Sequence, residues 1–278
     1  MTTTHAEQIL VLGGTGKTGR RVVRRLREAG VAVRAASRSG EVRFDWSEPD
    51  SWAAALEGAS AVYLVAPEDP APVHDFVKRA VDAGVRRFVA LSGRGIEHVT
   101  GDFGQGMVAA EQAVRGSGVE WTVIQPNNFD QNFDEDLWLE PLRAGRLALP
   151  IGDVPEPFVD VEDVAEVAAA LLTEDGHAGR VYELSGPRGL TFAEAAETIG
   201  RAAGRTIEYV ELTPEEYHRE LLGQGYPEAA VRMLGALFEV HRGGHLAGVA
   251  DGVRQVLGRE PASFEDYAAR TAAAGAWS

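Results

Sequence analysis

Short apolar runs alternate with amphipathic stretches through the first half of the chain. Residues 9–12 (Ile-Leu-Val-Leu) suit a strand buried on both faces, and Gly13-Gly14-Thr15-Gly16-Lys17-Thr18-Gly19 follows at once. The spacing of Val22, Val23, Leu26 and Ala29 predicts a helix that Gly30 stops. Further strands are predicted over 31–36, 42–44, 60–66, 87–91 and 121–125. Between them lie a helix carrying Val73, Phe76, Val77 and Ala80 inward and ending at Gly84, and another over 108–115. Strand–helix units with near-continuous apolar strands imply a parallel sheet covered on both faces. The expected fold is therefore α/β, a doubly wound parallel sheet.

Beyond residue 126 the rhythm changes. Residues 127–157 hold Pro141, Pro150, Pro155 and Pro157 among several aromatics, which predicts loop. A helix returns over 161–172 and a strand over 181–184. Thr191-Phe192-Ala193-Glu194 and Thr213-Pro214-Glu215-Glu216 are capping boxes, the second with proline at the first helical position. Helical text continues to the end, with no internal repeat or flexible linker.

Composition narrows the function classes. The 278 residues carry 42 acidic and 27 Lys or Arg side chains, a formal charge of -15, which speaks against a phosphate-coating nucleic-acid binder. With no cysteine, disulfides, thiolate metal sites and a cysteine nucleophile are excluded. The N-terminus lacks a basic segment followed by an apolar run, and no apolar stretch approaches the ~20 residues that span a bilayer. A soluble, cytoplasmic protein is expected.

The glycine loop carries the chemistry. Gly13-x-x-Gly16-x-x-Gly19 lies between a buried strand and an amphipathic helix, where a tight turn, close backbone approach and a helix N-terminus together suit a pyrophosphate. A dinucleotide-binding Rossmann domain is thus expected over 1–126, with 160–186 returning to it. A smaller, mostly helical substrate lobe is expected over 127–159 and 187–278. Where an NAD site places an acid after the second strand, this chain has Ser37 and Arg38. A guanidinium beside a hydroxyl suits a 2′-phosphate, so NADPH is expected over NADH. Lys17 could add charge inside the loop.

Other machinery is missing. The only lysines are Lys17 and Lys78, and neither has a tyrosine four residues before it, so the Tyr-x-x-x-Lys pair of standard short-chain dehydrogenases is excluded. His241 and His245 stand one turn apart but are flanked by glycines without an evident carboxylate, which predicts a surface turn and no metal site. Ser92-Gly93 ends the fifth strand, where a doubly wound fold places ligand contacts.

These residues resemble the NmrA-like atypical short-chain dehydrogenases. The likeness rests on residues 11–20, Phe88-Val89-Ala90-Leu91-Ser92, residues 117–124, Pro126-x-x-Phe129-x-x-Asn132-Phe133 and residues 157–165. Within that family the chain is most similar to the ergot alkaloid reductases, of agroclavine dehydrogenase and festuclavine synthase type, and their bacterial relatives. Residues 36–40, 44–46, 61–67 and 258–264 carry this part. The resemblance implies NADPH-dependent reduction of a cyclic iminium. An iminium becomes a neutral amine on accepting hydride and so needs no proton donor, which fits the missing pair.

Position by position, the resemblance implies that Gly13, Thr15, Gly16, Lys17, Thr18 and Gly19 cradle the pyrophosphate and that Ser37 and Arg38 hold the 2′-phosphate. Asp45 and Trp46 would lie near the adenine, and Val65, Ala66 and Pro67 beside the nicotinamide ribose. Ser92 and Gly93 would adjoin the nicotinamide, with Pro126, Asn127 and Phe129 walling its far side. Asn128, Asn132, Phe133 and Trp138 would contact substrate, and His98 is the one nearby candidate proton donor. The family often has an arginine before the proline, where this chain has Gln125. Two other readings stay open: a reductase of a quinone or another conjugated acceptor, and a non-catalytic dinucleotide-binding redox sensor. A small-molecule partner is expected, as monomer or homodimer.

Overall fold

A computed structural model describes residues 8–99, 101 and 103–278, so the N-terminal segment read above for a leader lies outside the described residues. The strands are β1 (Gln8–Leu12), β2 (Val33–Ser37), β3 (Val42–Arg43), β4 (Ala59–Val65), β5 (Arg87–Leu91), β6 (Glu120–Pro126), β7 (Arg146–Leu149), β8 (Arg180–Leu184) and β9 (Glu208–Glu211). Seven form one parallel sheet in the order β3-β2-β1-β4-β5-β6-β8. This is the doubly wound order, with its switch point between β1 and β4. Every strand of the sheet delivers its C-terminal end to the same edge.

The helices over the sheet are α1 (Gly19–Glu28), α2 (Asp50–Leu56), α3 (Val73–Asp82), α4 (Gln105–Arg115) and, after α5 (Leu139–Arg143), α6 (Val161–Thr173). Successive side chains of a strand point to opposite faces. Leu10, Leu12, Val62, Leu64 and Phe88 accordingly bury against Trp52, Phe76, Val77 and Ala110 of α2, α3 and α4. Ile9, Val11, Tyr63, Val89 and Ile124 bury on the other face against Val22 and Leu26 of α1 and Val164, Ala168 and Leu171 of α6. Close approach is built into the first turn: a Cβ on Gly19 would stand 2.1 Å from the Gly13 carbonyl oxygen.

The remaining helices are α7 (Phe192–Ala203), α8 (Pro214–Gly223), α9 (Glu228–Arg242), α10 (Gly252–Leu257) and α11 (Phe264–Ala273). Both capping boxes form, Thr191 with Glu194 on α7 and Thr213 with Glu216 on α8. A separate core gathers Phe133, Trp138, Phe158, Phe192, Phe264 and Trp277. The loop expected over 127–157 is corrected here, because it contains α5 and β7. β7 pairs in parallel with β9 to make a second, two-stranded sheet. Leu147 and Leu149 point into the lobe core, and Gly145, at φ 81°, makes the turn from α5.

Charged side chains tie this lobe to the sheet. Arg21 on α1 reaches Glu135 at 2.5 Å and Glu162 at 3.0 Å, and Arg270 on α11 reaches the buried Asp160 at 2.6 Å. Asp160 also caps α6 through the Glu162 N–H. Among the described residues no helix is long and apolar enough to cross a membrane.

Candidate active site

A cleft crosses the carboxyl edge of the sheet and opens into two arms that share Gly13, Gly16 and Val65. One arm, of about 450 Å³, is lined by Thr15, Ser37, Arg38, Asp45, Trp46, Ala66 and Pro67 among others. The other, of about 470 Å³, is lined by Lys17, Thr18, Ser92, Gly93 and residues 126–129 and 132, and runs on between the sheet and the lobe. Crevices at this edge and this switch point are where open α/β sheets bind ligands.

In the first arm Trp46 packs edge-on to Phe44 and Phe76, at 5.1 and 4.9 Å between ring centres, and so braces the wall against the core. Asp45 accepts from the Ser47 N–H and hydroxyl, and these bonds, helped by the charge of Arg38, hold its carboxyl below the usual range. Arg38 has no hydrogen-bond or ion-pair partner among the described residues. The Ser37 Oγ is buried and unpartnered.

In the second arm the floor is fixed from below. Asn127 donates to Glu156 Oε1 at 2.6 Å and to the Leu246 carbonyl at 2.9 Å, and accepts from Arg94 at 3.0 Å. The Asn128 N–H also reaches Glu156 Oε1, at 3.2 Å. Glu156 Oε2 lies 2.8 Å from His241 Nδ1, both groups buried. The expected surface turn at His241 is therefore corrected: the carboxylate partner comes from a distant loop, which local spacing could not reveal. Ser92 Oγ, 4 % exposed as a residue, has no partner.

Lys17 does not hang free in the loop. Its Nζ bonds Asn132 Oδ1 at 2.7 Å and Asp136 at 3.1 Å, and lies 6.0 Å from the Phe129 ring centre. Gly19 lines neither arm and serves packing instead. Three expected contacts stand elsewhere. Phe133 and Trp138 are buried in the lobe core, 4.7 Å apart between ring centres, because their neighbours there are aromatic. His98 lies off the cleft lining, stacked on His245 at 3.9 Å and 3.6 Å from Glu97. Gln125 is occupied by Glu111, at 2.7 Å. Sequence reasoning missed Arg94, Ile96, Phe103, Met107, Leu237, Val240 and Leu246, which also line the second arm. A second apolar face on α9, beyond the one in the core, is the signal that could have found two of them.

Comparison with known proteins gives this geometry a family. A model described as NAD(P)H-binding matches residues 13–175, more than half of the chain. The chain belongs to the NAD(P)H-binding, NmrA-like family. It is an NAD(P)H-dependent oxidoreductase. The NAD(P)H azoreductase of Xenophilus azovorans is 34 % identical over 283 residues, covering 96 % of this chain and 98 % of its own. Agroclavine dehydrogenase of Claviceps fusiformis is 30 % identical over 287 residues, covering 93 % and 95 %. In fold, the Citrobacter triphenylmethane reductase complexed with NADP(H) superposes with a TM-score of 0.78 at 21 % identity, over 95 % of this chain and 99 % of that one. The NADPH-dependent quinone oxidoreductase of Escherichia coli complexed with NADPH gives 0.79 at 20 %, over 94 % and 99 %.

The cleft fits the family's dinucleotide on its own features. The unpartnered Ser37 and Ser92 hydroxyls stand one in each arm, no side chain caps α1, and a Cβ on Gly16 would meet only the Gly13 carbonyl, at 3.2 Å. Valine at Gly16 is thus expected to leave the fold intact while filling the place of closest approach. Titration of Gly16→Val with dinucleotide should show affinity at least ~10-fold weaker, over ~1.4 kcal/mol. Unchanged affinity in the folded variant would remove the loop from this role.

Proposed function

We propose that the chain is an NADPH-dependent reductase of an iminium-type small molecule, acting without a side-chain acid. The reading is carried by the lining of the second arm. Its reacting end offers amides, hydroxyls and apolar groups, and its charged groups are already paired, Lys17 with Asp136 and Arg94 with Glu183 at 2.9 Å. No histidine or tyrosine is among the lining residues. An acceptor held there must be electron-poor before it binds, which an iminium is.

In this assignment Gly13, Thr15, Gly16, Thr18 and the start of α1 hold the pyrophosphate. Ser37 and Arg38 hold the 2′-phosphate, with Asp45 and Trp46 at the adenine. Val65, Ala66 and Pro67 border the ribose, and Ser92, Gly93, Pro126, Asn127 and Phe129 surround the nicotinamide. When bound, the reduced nicotinamide supplies a hydride. Asn128 and Asn132 orient the acceptor, and the apolar wall excludes water from the reacting carbon. The likeness to agroclavine dehydrogenase, the type whose resemblance implies iminium reduction, supports such an acceptor.

Oxidation of NADPH against a panel of cyclic iminium salts, quinones and aldehydes tests the proposal. Turnover of the iminium salts is expected. Turnover of quinones alone would favour the second reading, which the similarity to a quinone oxidoreductase supports. For the cofactor, Arg38→Ala should weaken NADPH binding roughly 10- to 100-fold, as loss of a charge-assisted bond does, and leave NADH within twofold. Equal losses for both cofactors would show that Arg38 does not read the phosphate.

A further inference from the structure

The second arm does not end at the reacting carbon. Its outer wall, at Phe103 and the α9 residues Leu237 and Val240, adjoins at Phe103 a groove of about 620 Å³. Phe103 lines both spaces, and the groove is floored by Ala229, Ala230, Met233 and Ala236 of α9. Helix α9 thus has two apolar faces. Val231, Leu234 and Phe238 enter the lobe core, while Met233 and Ala236 are left half-exposed toward the groove and Leu237 toward the second arm. Among the described residues that line it, charge stands only as Glu68 and Arg232, and Arg232 is paired with Glu228 at 3.2 Å. Small side chains on the floor and a large one at the junction leave a slot rather than a packed seam.

We infer that this groove holds an extended, neutral, apolar portion of the acceptor, so that the preferred substrate is a two-part molecule: an electron-poor head at the cofactor and a hydrocarbon or aryl tail along α9. Continuity with the cleft identifies the occupant, since a group entering the groove from Phe103 is already attached to something in the second arm. The inference rests on the cleft being the acceptor site.

The test uses N-methyl, N-propyl and N-hexyl 3,4-dihydroisoquinolinium salts, which share one reactive head. Each buried methylene is worth about fourfold, so kcat/KM should rise at least ~10-fold from methyl to hexyl. Ala236→Trp, which fills the groove, and Met233→Glu, which puts a charge in it, should reduce that advantage to within about twofold. Both should leave the N-methyl substrate within about twofold. Titration of the protein with the matching tetrahydroisoquinolines, which accept no hydride, reads the same length dependence as binding. It decides the groove even if no salt is turned over, in which case only the proposed reaction fails. Equal length dependence in wild type and both variants would overturn the inference. So would a change from dimer to monomer in Ala236→Trp with the length dependence intact, because a second copy would then cover the groove.

Discussion

Glu156→Ala is expected to cost about 3–5 kcal/mol of folding stability, the range for removing one partner of a buried pair. Glu156 is fully buried, accepts from the Asn127 side chain and the Asn128 N–H through Oε1, and holds Oε2 2.8 Å from the buried His241 ring. Alanine would open a cavity beside His241, strip the Asn128 N–H of its acceptor and leave Asn127 only the Leu246 carbonyl, and an unsatisfied buried group carries its own desolvation cost. The damage is also local to function, because Asn127 and Asn128 line the cleft. Cofactor affinity should therefore fall in whatever fraction remains folded. Glu156→Gln keeps the shape and the acceptor for the two asparagines, and should lose less than half as much. Urea unfolding of both variants checks this. A loss below ~1 kcal/mol for the alanine variant would show that the floor is held by something else.

The second large effect has the opposite sign. Asp130 is completely buried, and neither carboxylate oxygen has a hydrogen-bond partner. Burial, reinforced by the charges of Asp160 and Asp163, pushes its pKa well above the ordinary value. The folded protein therefore holds this proton more tightly than the unfolded chain does. Stability from that proton is fully present below the unfolded carboxylate range, near ~3.9, and is lost as pH rises toward the folded value. Asparagine is neutral at every pH and removes the penalty. Asp130→Asn should stabilise the protein at pH 7 by about 1–4 kcal/mol, the ceiling being ~3 pH units at ~1.4 kcal/mol each. The gain should shrink toward zero near pH 4. Equal gains at both pH values would mean that Asp130 is ionised in the fold.

The sheet domain was legible because its signals are local. Strand β5 appears in the sequence with the bounds it has in the structure, since Phe88 to Leu91 is a short apolar run that Arg87 opens between two turns. Gly16, Ser37, Arg38, Val65 and Ser92 could be placed along one cleft because strand ends deliver residues predictably to one edge. The lobe was harder. β9 is Glu-Tyr-Val-Glu, with only a half-buried Tyr209 and Val210 to mark it, and it becomes a strand by pairing with β7 some sixty residues away. Phe133 and Trp138 occur in the text beside cleft residues. Which of these aromatics turns inward is decided by Phe158, Phe192 and Phe264, far along the chain. The Glu156–His241 pair has the same origin, 85 positions apart in sequence and 2.8 Å apart in space.

Lys17 is the only formal charge within the glycine loop, and its ammonium group is bound to Asn132 and Asp136. It acts as a rivet between the glycine turn and the segment around Asn132 on the far side of the cleft. On the assignment proposed above, the loop greets its ligand with backbone dipoles, and the choice between the two dinucleotides falls to the distant end of the cleft, where Arg38 stands uncommitted.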